Sequence, residues 1–381
     1  GKLDREIYLR SPESWEFIKK SYRRKSTDPS FVDYFWTART LHAPFWALSA
    51  VADRAPRARV YHAVSTGYAG ILGTILKHRK KRPFILSEHG IYVKERKIDL
   101  YQAQWIKDNR NTFERNPSEI SYYRQLWIRF FEHLGYLTYQ AADDIVALYE
   151  ANRLRQLQDG APDARTRNIP NGIPLEKFRA LRRAPEAPVP PVLCLIGRVV
   201  PIKDIKTFIR AMRKVIRHLP QAEAWIAGPT DEDPGYAGEC RDLVHFLGLE
   251  GRVKFLGFQQ MTELLPKVGV VVLSSISEAL PLVLLEGYAA GVPALATDVG
   301  SCRQLIDGLP GEDAALGSAG RIVRIADPEM MADAALDLLT DPQAWQSASR
   351  AAVDRVEKYY TQELLFEQYQ ALYEKNFAWQ G

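Results

Sequence analysis

The chain has 381 residues, enough for two domains with real cores, and its 46% hydrophobic and 25% charged residues are the composition of an ordinary globular protein. Fifty-one Lys and Arg against 46 Asp and Glu leave a formal charge of +5, a mild excess that suits a small anionic ligand or a membrane-surface partner and gives no argument for nucleic acid. Cys194, Cys240 and Cys302 are far apart and odd in number, which excludes a disulfide framework or a zinc site as the expected reading and favours a reducing cytoplasm; Pro281, Glu286 and Pro293 interrupt the longest apolar stretch, so neither a transmembrane helix nor a signal peptide is expected.

Before Val60 the pattern is helical and rich in aromatics, with Trp15, Phe17, Tyr34, Phe35, Trp36, Phe45 and Trp46. Strands are expected at 59–65, 83–87, 144–149 and 167–169, so part of one Rossmann-like sheet is visible. Within 100–139, Tyr122, Tyr123, Leu126, Trp127, Phe130, Phe131 and Leu134 recur at helical spacing. They predict a helix packed in a core, the ordinary fate of such aromatics, in preference to a membrane or partner face. His89-Gly90 follows the second strand. A glycine there permits close backbone approach and an imidazole can donate to a hydroxyl, yet a lone histidine is more often structural, and the residues alone leave both readings open. Asn171-Gly172 reads as a plain turn, with a hinge between domains as its consequence.

Residues 184–191, APEAPVPP, cannot form a helix or a central strand and read as an interdomain linker. Beyond them, strands expected at 192–196, 223–227, 253–256, 270–274, 293–297 and 321–323 alternate with helical patterns near 203–218, 237–247, 261–268, 281–290 and 328–339. That alternation makes a parallel sheet covered on both faces. In VLCLIGRVVPIKDIKTFIRAM the first of these strands runs into Gly197 and Arg198, with Lys203 five residues later ahead of an amphipathic helix. Strand, glycine, cations and helix form a phosphate-binding grammar: the glycine turns the chain tightly, the helix start offers free amides, and Arg198 and Lys203 can converge on a diphosphate. The competing reading is that both are solvated surface charges. The segment is neither a Walker loop nor a GxGxxG fingerprint, so ATPase and NAD readings find no support.

In SISEALPLVLLEGYAAGVPALAT, Glu278 and Glu286 stand eight residues apart, and Pro281 and Gly291 bracket the apolar stretch between them. The pattern predicts a short helix over 281–290, entered from a loop that carries Glu278. Glu286 lies inside it among Leu282, Val283, Leu284 and Leu285, where a carboxylate is costly unless something hydrogen-bonds to it; a pair of ligand hydroxyls would do so. The competing reading has Glu278 capping the helix and Glu286 paired with a core Arg or Lys. A last helix over 361–377 carries Leu364, Leu365, Phe366, Tyr369, Leu372, Tyr373 and Phe377.

Gly197-Arg198 with Lys203, then Glu278 and Glu286, Gly291-Val292-Pro293, and Thr297-Asp298-Val299-Gly300 together resemble the retaining nucleotide-sugar glycosyltransferases of the GT-B fold, the large "group 1" or family-four type. The stretches HAVSTGYAG, SEHGIYVKER, IPNGIPLEKF and GRVVPIKDIKTFIRA resemble the PelF subgroup of that family, the cytoplasmic glycosyltransferases of Pel exopolysaccharide biosynthesis. The likeness covers nearly the whole chain from about Val60 onward.

The resemblance implies an α/β GT-B architecture of two Rossmann-like domains facing a cleft: an acceptor-side domain over 1–172, a linker over 173–191, a nucleotide-sugar domain over 192–360, and a terminal helix over 361–381 that crosses back to the first domain. It implies a UDP-sugar donor, UDP-glucose or a related UDP-hexose, a polysaccharide acceptor, inner-membrane Pel synthase partners, and no metal or other cofactor. Arg198 and Lys203 would hold the diphosphate, supplying with helix-terminus amides the field that stabilises the leaving group. Glu286 would accept from the ribose hydroxyls, and Glu278 with the amides of the following segment, Ala279, Leu280, Pro281 and Leu282, of which Pro281 has no N–H, would orient the hexose. His89 would lie beside the donor sugar, and the base would sit near 255–259, at Gly257 and Phe258. Family members often carry glycine where this chain has Ala279 and Asp204. Alternatives are an epimerase or phosphorylase, for which the acid/base set or a pyridoxal-binding lysine is missing, and a non-catalytic nucleotide-sugar sensor or scaffold of a polysaccharide synthase complex.

A GT-B acceptor domain normally opens with a buried strand and a glycine-rich loop, whereas only Gly1 and Gly67 precede Gly70 here. A half-sheet ending at the 59–65 strand would expose a long hydrophobic edge. The expectation is therefore an incomplete N-terminal domain, its first strands lying outside the chain.

Overall fold

Runs of β-branched and aliphatic residues separated by amphipathic helices build two parallel sheets in the computed structural model, which describes residues 5–111, 113–116, 119–184 and 186–378. The chain divides into two compact units, one of Gly1–Ala147, Asn152–Asn168 and Ala371–Gly381, the other of Leu148–Ala151 and Ile169–Gln370.

In the first unit, strands β1 (Tyr61–Ala63), β2 (Phe84–Glu88), β3 (Asp144–Ala147) and β4 (Thr166–Asn168) pair in parallel in sequence order. Helices Arg5–Arg10, Pro12–Lys25 and Phe31–Arg54 precede them, as the aromatic pattern anticipated. The 100–139 aromatics resolve into the helix Tyr122–Ala141, whose Tyr123, Trp127, Ile128, Phe131 and Leu134 are buried in one core cluster. Edge strand β1 is three residues long, shorter than the apolar edge expected over 59–65. Its His62 bonds Ser87 Oγ at 2.8 Å through Nε2 and Tyr373 Oη at 2.6 Å through Nδ1. Tyr373 comes from the terminal helix Gln362–Phe377, whose end is further fastened by buried Asp144, which accepts from Lys375 Nζ at 2.6 Å and Asn376 Nδ2 at 2.9 Å.

In the second unit, strands β5 (Val192–Ile196), β6 (Glu223–Ala227), β7 (Val253–Gly257), β8 (Val270–Leu273), β9 (Ala294–Thr297) and β10 (Gly320–Val323) form a parallel six-stranded sheet in the order β10-β9-β8-β5-β6-β7. The order reverses between β5 and β8, and such a reversal opens a crevice beyond the carboxyl ends of those two strands. All six strands correspond to expected ones because a fully buried parallel strand is an unbroken apolar run, and β8 (VVVL) and β5 (VLCLI) are that.

Two connections differ from expectation. Asn171-Gly172 forms no turn: a Cβ on Gly172 would lie 2.0 Å from Thr361 O, and Ile173 bridges Thr361 in parallel, its amide bonding Tyr360 O at 3.0 Å. The glycine is there because another backbone passes against it, a contact nearly two hundred positions away that local composition cannot register. The 173–191 stretch lies within the second unit, and Ile173, Leu175 and Phe178 are buried in its core; of its proline-rich part, Pro185 lies outside the described residues.

The helix Pro342–Tyr359 places Arg355 in the core with no exposed surface. Its Nε donates to Asp313 Oδ2 at 2.5 Å, Nη1 to Ile306 O at 2.9 Å, and Nη2 to Gly317 O at 2.9 Å and Asp313 O at 3.1 Å, so one guanidinium organises the segment from 306 to 317 that leads from the helix Cys302–Asp307 to β10. Replacing it would leave Asp313 Oδ2 and Gly317 O without their donor, while Leu309 N, Leu316 N and Ala319 N still serve Asp313 Oδ1, Asp313 O and Ile306 O. Arg355→Ala is expected to cost about 3–5 kcal/mol of unfolding free energy, read from the denaturant midpoint; an unchanged midpoint would contradict this account.

Candidate functional site

The crevice between β5 and β8 is where the sequence-derived candidates gather. After β5, Gly197 donates its amide to Ala227 O at 2.9 Å, and a one-turn 3₁₀ helix, Pro201–Lys203, leads into the helix Ile205–His218. Asp204 at this junction has φ 43° and ψ 49°. It occupies the left-handed region that glycine enters freely and that Asp visits more readily than most residues, which accounts for the departure from glycine at this place.

The loop after β8 is stitched to that turn. Ile276 donates its amide to Ile202 O at 2.8 Å, and Ser274 Oγ donates to Lys203 O at 2.7 Å. Lys203 Nζ and Ser275 Oγ both donate to Glu278 Oε1, at 2.5 and 2.6 Å. The loop after β9 closes on the same segment: Thr297 Oγ1 donates to Ser275 O at 2.6 Å and Ser301 N to Ala279 O at 2.9 Å. Gly300, at φ 54°, is required there, since a Cβ would come within 2.3 Å of Glu278 O.

Glu278 is therefore not a helix cap. Pro281 is the N-cap of the helix Leu282–Ala289, one position earlier than expected, and offers no side-chain cap. Among the described residues, the amides of Glu278, Ala279, Leu280, Leu282 and Val283 find no protein acceptor. A row of free N–H groups leading into a helix start is a field for negative charge or carbonyl and hydroxyl oxygens.

Glu286 sits in the middle of that helix, half-buried, and among the described residues its carboxylate has neither a hydrogen bond nor an ion pair. Burial pushes its pKa up from 4.5, and the Lys177 charge lowers it only in part. The core Arg or Lys partner of the competing reading is absent.

The other candidates are placed differently. Arg198 does not converge with Lys203: its Nη1 lies 2.5 and 2.7 Å from the two carboxylate oxygens of Glu232, in an ion pair 56% and 50% exposed on its two sides. Gly257, at φ 64°, ends β7, and the Phe258 ring is 75% exposed beyond it, two strands from β5 and free to stack. Leu280 and Pro281 are buried and Leu282 is exposed. His89 is exposed on the loop after β2 in the first unit, its carbonyl 3.5 Å from Asn152 Nδ2. The residue before it, Glu88, is buried and accepts from Thr66 Oγ1 at 2.9 Å, Tyr139 Oη at 2.6 Å and Gln156 Nε2 at 3.1 Å; burial pushes its carboxyl up in spite of these donors.

Sequence reasoning missed Ser274, Ser275, Thr297 and Glu232. A serine pair ending an apolar strand signals buried hydroxyls that need acceptors, and could have been read. Glu232 lies in an acidic loop after β6, and only the strand order shows that this loop neighbours β5. Among the described residues, no group of three or more His, Cys, Asp or Glu side chains is placed to hold a metal ion, and no helix is long and apolar enough to cross a membrane.

Comparison with known proteins divides the chain similarly. Residues 1–164 match a family described as a domain of unknown function (DUF3492), and residues 190–341 match the family "Glycosyl transferases group 1". A D-inositol 3-phosphate glycosyltransferase of Saccharomonospora viridis is 29% identical over 224 residues, covering 55% of this chain and 50% of that protein. An N-acetyl-alpha-D-glucosaminyl L-malate synthase of Bacillus anthracis is 28% identical over 183 residues, 48% of this chain and 45% of its own length. An exopolysaccharide phosphotransferase of Streptomyces coelicolor is 32% identical over 231 residues, 57% of this chain and 23% of its own length. The chain thus spans about half or less of the length of these curated relatives. Among solved structures, Anabaena HepE in complex with UDP superposes with a TM-score of 0.65 at 19% identity, covering 87% of this chain and 82% of that one. Sucrose-phosphate synthase from Thermosynechococcus elongatus gives 0.60 at 22% identity, covering 94% and 80%. At such identities the likeness establishes the fold, the GT-B architecture of two parallel α/β sheets. Residues 190–341, which match the glycosyl transferases group 1 family, contain Gly197, Lys203, Glu278 and Glu286.

Proposed function

We propose that the chain is a retaining glycosyltransferase that moves a hexose from a UDP-sugar, UDP-glucose or a related UDP-hexose, to a growing exopolysaccharide. The observation that carries this reading is the Lys203–Glu278 pair held at the β5–β8 crevice beside a row of unpartnered amides. HepE, of the same fold, has been crystallised with UDP, with UDP and glucose, and with UDP-glucose, and one relative is named for exopolysaccharide chemistry. The PelF-like stretches of the sequence suggest Pel polysaccharide as the product, a cytoplasmic enzyme, and inner-membrane synthase components as partners.

In this reading the leaving diphosphate is stabilised as the glycosidic bond breaks. Lys203 supplies a cation that is already fixed in place, and Arg198 must leave Glu232 to supply a second; an exposed pair of that kind is weak enough to exchange. The 278–283 amides receive sugar and phosphate oxygens, Glu286 accepts from the ribose hydroxyls, and Phe258 offers a ring to the base. Glu278, anchored by Lys203 and Ser275 through one oxygen, keeps the other for the hexose. Neutralisation is assigned to these groups and to no metal.

Glu286→Ala is expected to weaken UDP binding by about 1–3 kcal/mol in calorimetry with the fold intact, and unchanged affinity would remove the ribose role. Arg198→Ala and Lys203→Ala should depress turnover far more than ground-state UDP affinity, because their charge matters most as the diphosphate departs. Turnover should survive excess EDTA, and its loss with recovery on adding Mg²⁺ or Mn²⁺ would refute the metal-free assignment. Glu286 also carries a pH signature. Its folded pKa is raised above 4.5, so the ionised side chain costs stability that is absent at acid pH and grows as pH rises through and above 4.5. Without nucleotide, Glu286→Gln should match the wild-type thermal midpoint near pH 4 and exceed it at pH 7 by about 1–3 °C.

A further inference from the structure

A pocket of about 230 Å³ lies in the second unit at the other end of the Leu282–Ala289 helix from Glu278; its walls include Arg182, Arg183, Gly291, Trp345, Ser349 and Arg350. None of these residues belongs to the site described above. The charge they bring together is not balanced. Arg182 donates through Nε to Ala289 O at 2.9 Å and pairs through Nη1 with Glu357 at 2.9 Å, while its Nη2 is buried and has no acceptor. Arg183 Nη2 donates to two carbonyls, Pro266 O at 2.5 Å and Val268 O at 2.9 Å, its guanidinium lies 6.0 Å over the Trp345 ring, and no carboxylate meets it. Arg350 is exposed, and among the described residues it has neither a hydrogen bond nor an ion pair.

The acid on this face is Glu357, and it is shared between Arg182 and Arg179. Two guanidiniums therefore stand uncompensated around one concavity, and a third has a buried donor left over. Unpaired buried donors are rare, and each calls for an explanation. Burial of the Arg183 guanidinium lowers its pKa from the usual arginine value. A helix C-terminus is the negative end of the helix dipole and would repel an anion, but Arg182 Nε already neutralises Ala289 O there. Planar forked donors match the oxygens of a phosphate better than those of a single carbonyl or water, and the volume accepts a phosphate group with a small appendage but not an enclosed nucleoside diphosphate.

We propose that the Arg182–Arg183–Arg350 pocket binds a phosphate-class anion, at a site separate from the Lys203–Glu278 crevice. The anion bridges Arg350 and Arg183, beside Arg182. Its source is either free phosphate or the phosphate group of a small phosphorylated sugar.

Calorimetric titration of the full chain with inorganic phosphate, in a low-salt chloride buffer, tests this. Saturable binding is expected, weakened at least about tenfold in Arg350→Ala, whose side chain is exposed and not needed for folding, and unchanged within about twofold in Lys203→Ala. A parallel titration with glucose 1-phosphate separates the sources: tighter binding assigns the phosphate to a sugar phosphate, equal or weaker binding to the free anion. Circular dichroism of Arg350→Ala confirms that any loss is local. The proposal is overturned if wild-type protein shows no saturable phosphate binding, if Arg350→Ala binds as wild type does, or if Lys203→Ala abolishes binding while Arg350→Ala keeps it.

Discussion

The bond from Lys203 to Glu278 joins the turn after β5 to the loop after β8 across the point where the strand order reverses, and the site depends on it. Both side chains are mostly withdrawn from water, at 20% and 15% exposure, so each charge needs the other: removing either leaves an ion in a place where desolvation is no longer offset. The backbone bonds around it, Ile276 to Ile202 and Ser274 to Lys203, hold the two loops close enough for the pair to form without strain. Thr297 and Ser301 then hold the third loop against the second. Three loops that would each be mobile alone become one rigid rim over the carboxyl ends of β5, β8 and β9.

That rim is polar and largely unsatisfied. Among the described residues, the amides of Glu278, Ala279, Leu280, Leu282 and Val283 are free, and Glu286 keeps a half-buried carboxylate without a donor. A protein selected only for stability would cap the helix and replace Glu286 with an apolar residue. Keeping both is the arrangement expected where a ligand supplies the missing partners, since preorganised donors and acceptors act on it without rearranging first. The two cations differ in the same way. Lys203 is fixed and shielded; Arg198 waits in an exposed pair with Glu232, from which it can be released at little cost.

The first unit shows the same economy around Glu88. Three side-chain donors from Thr66, Tyr139 and Gln156 converge on a buried carboxyl one residue before His89, and they tie the β1 loop, the Tyr122–Ala141 helix and the Glu150–Gln158 helix to the end of β2. The exposed loop bearing His89 and Gly90 therefore starts from a fixed point.

Much of this was legible from residues alone. Short β-branched and apolar-rich runs, unbroken in β5 and β8 and carrying one charge in β6, β7 and β10, located all six strands of the second sheet, Pro281 and Gly291 bracketed a helix one residue from its observed limits, and the motif order named the fold, because burial and backbone preference act locally and leave periodic traces. The sequence drew Glu278 and Glu286 out as a pair but not their surroundings: that Glu278 meets Lys203 and Ser275, that Glu286 has no hydrogen bond or ion pair among the described residues, and that Arg198 turns to Glu232 are facts about neighbouring loops. Gly172 was read as a turn for the same reason, its true neighbour Thr361 being remote in sequence. The sequence by itself determined which segments are strands and helices and which residue types stand at their ends; the tertiary structure alone decided which of those ends meet, because strand order, and with it every contact across the crevice, is set by packing between segments that carry no record of one another.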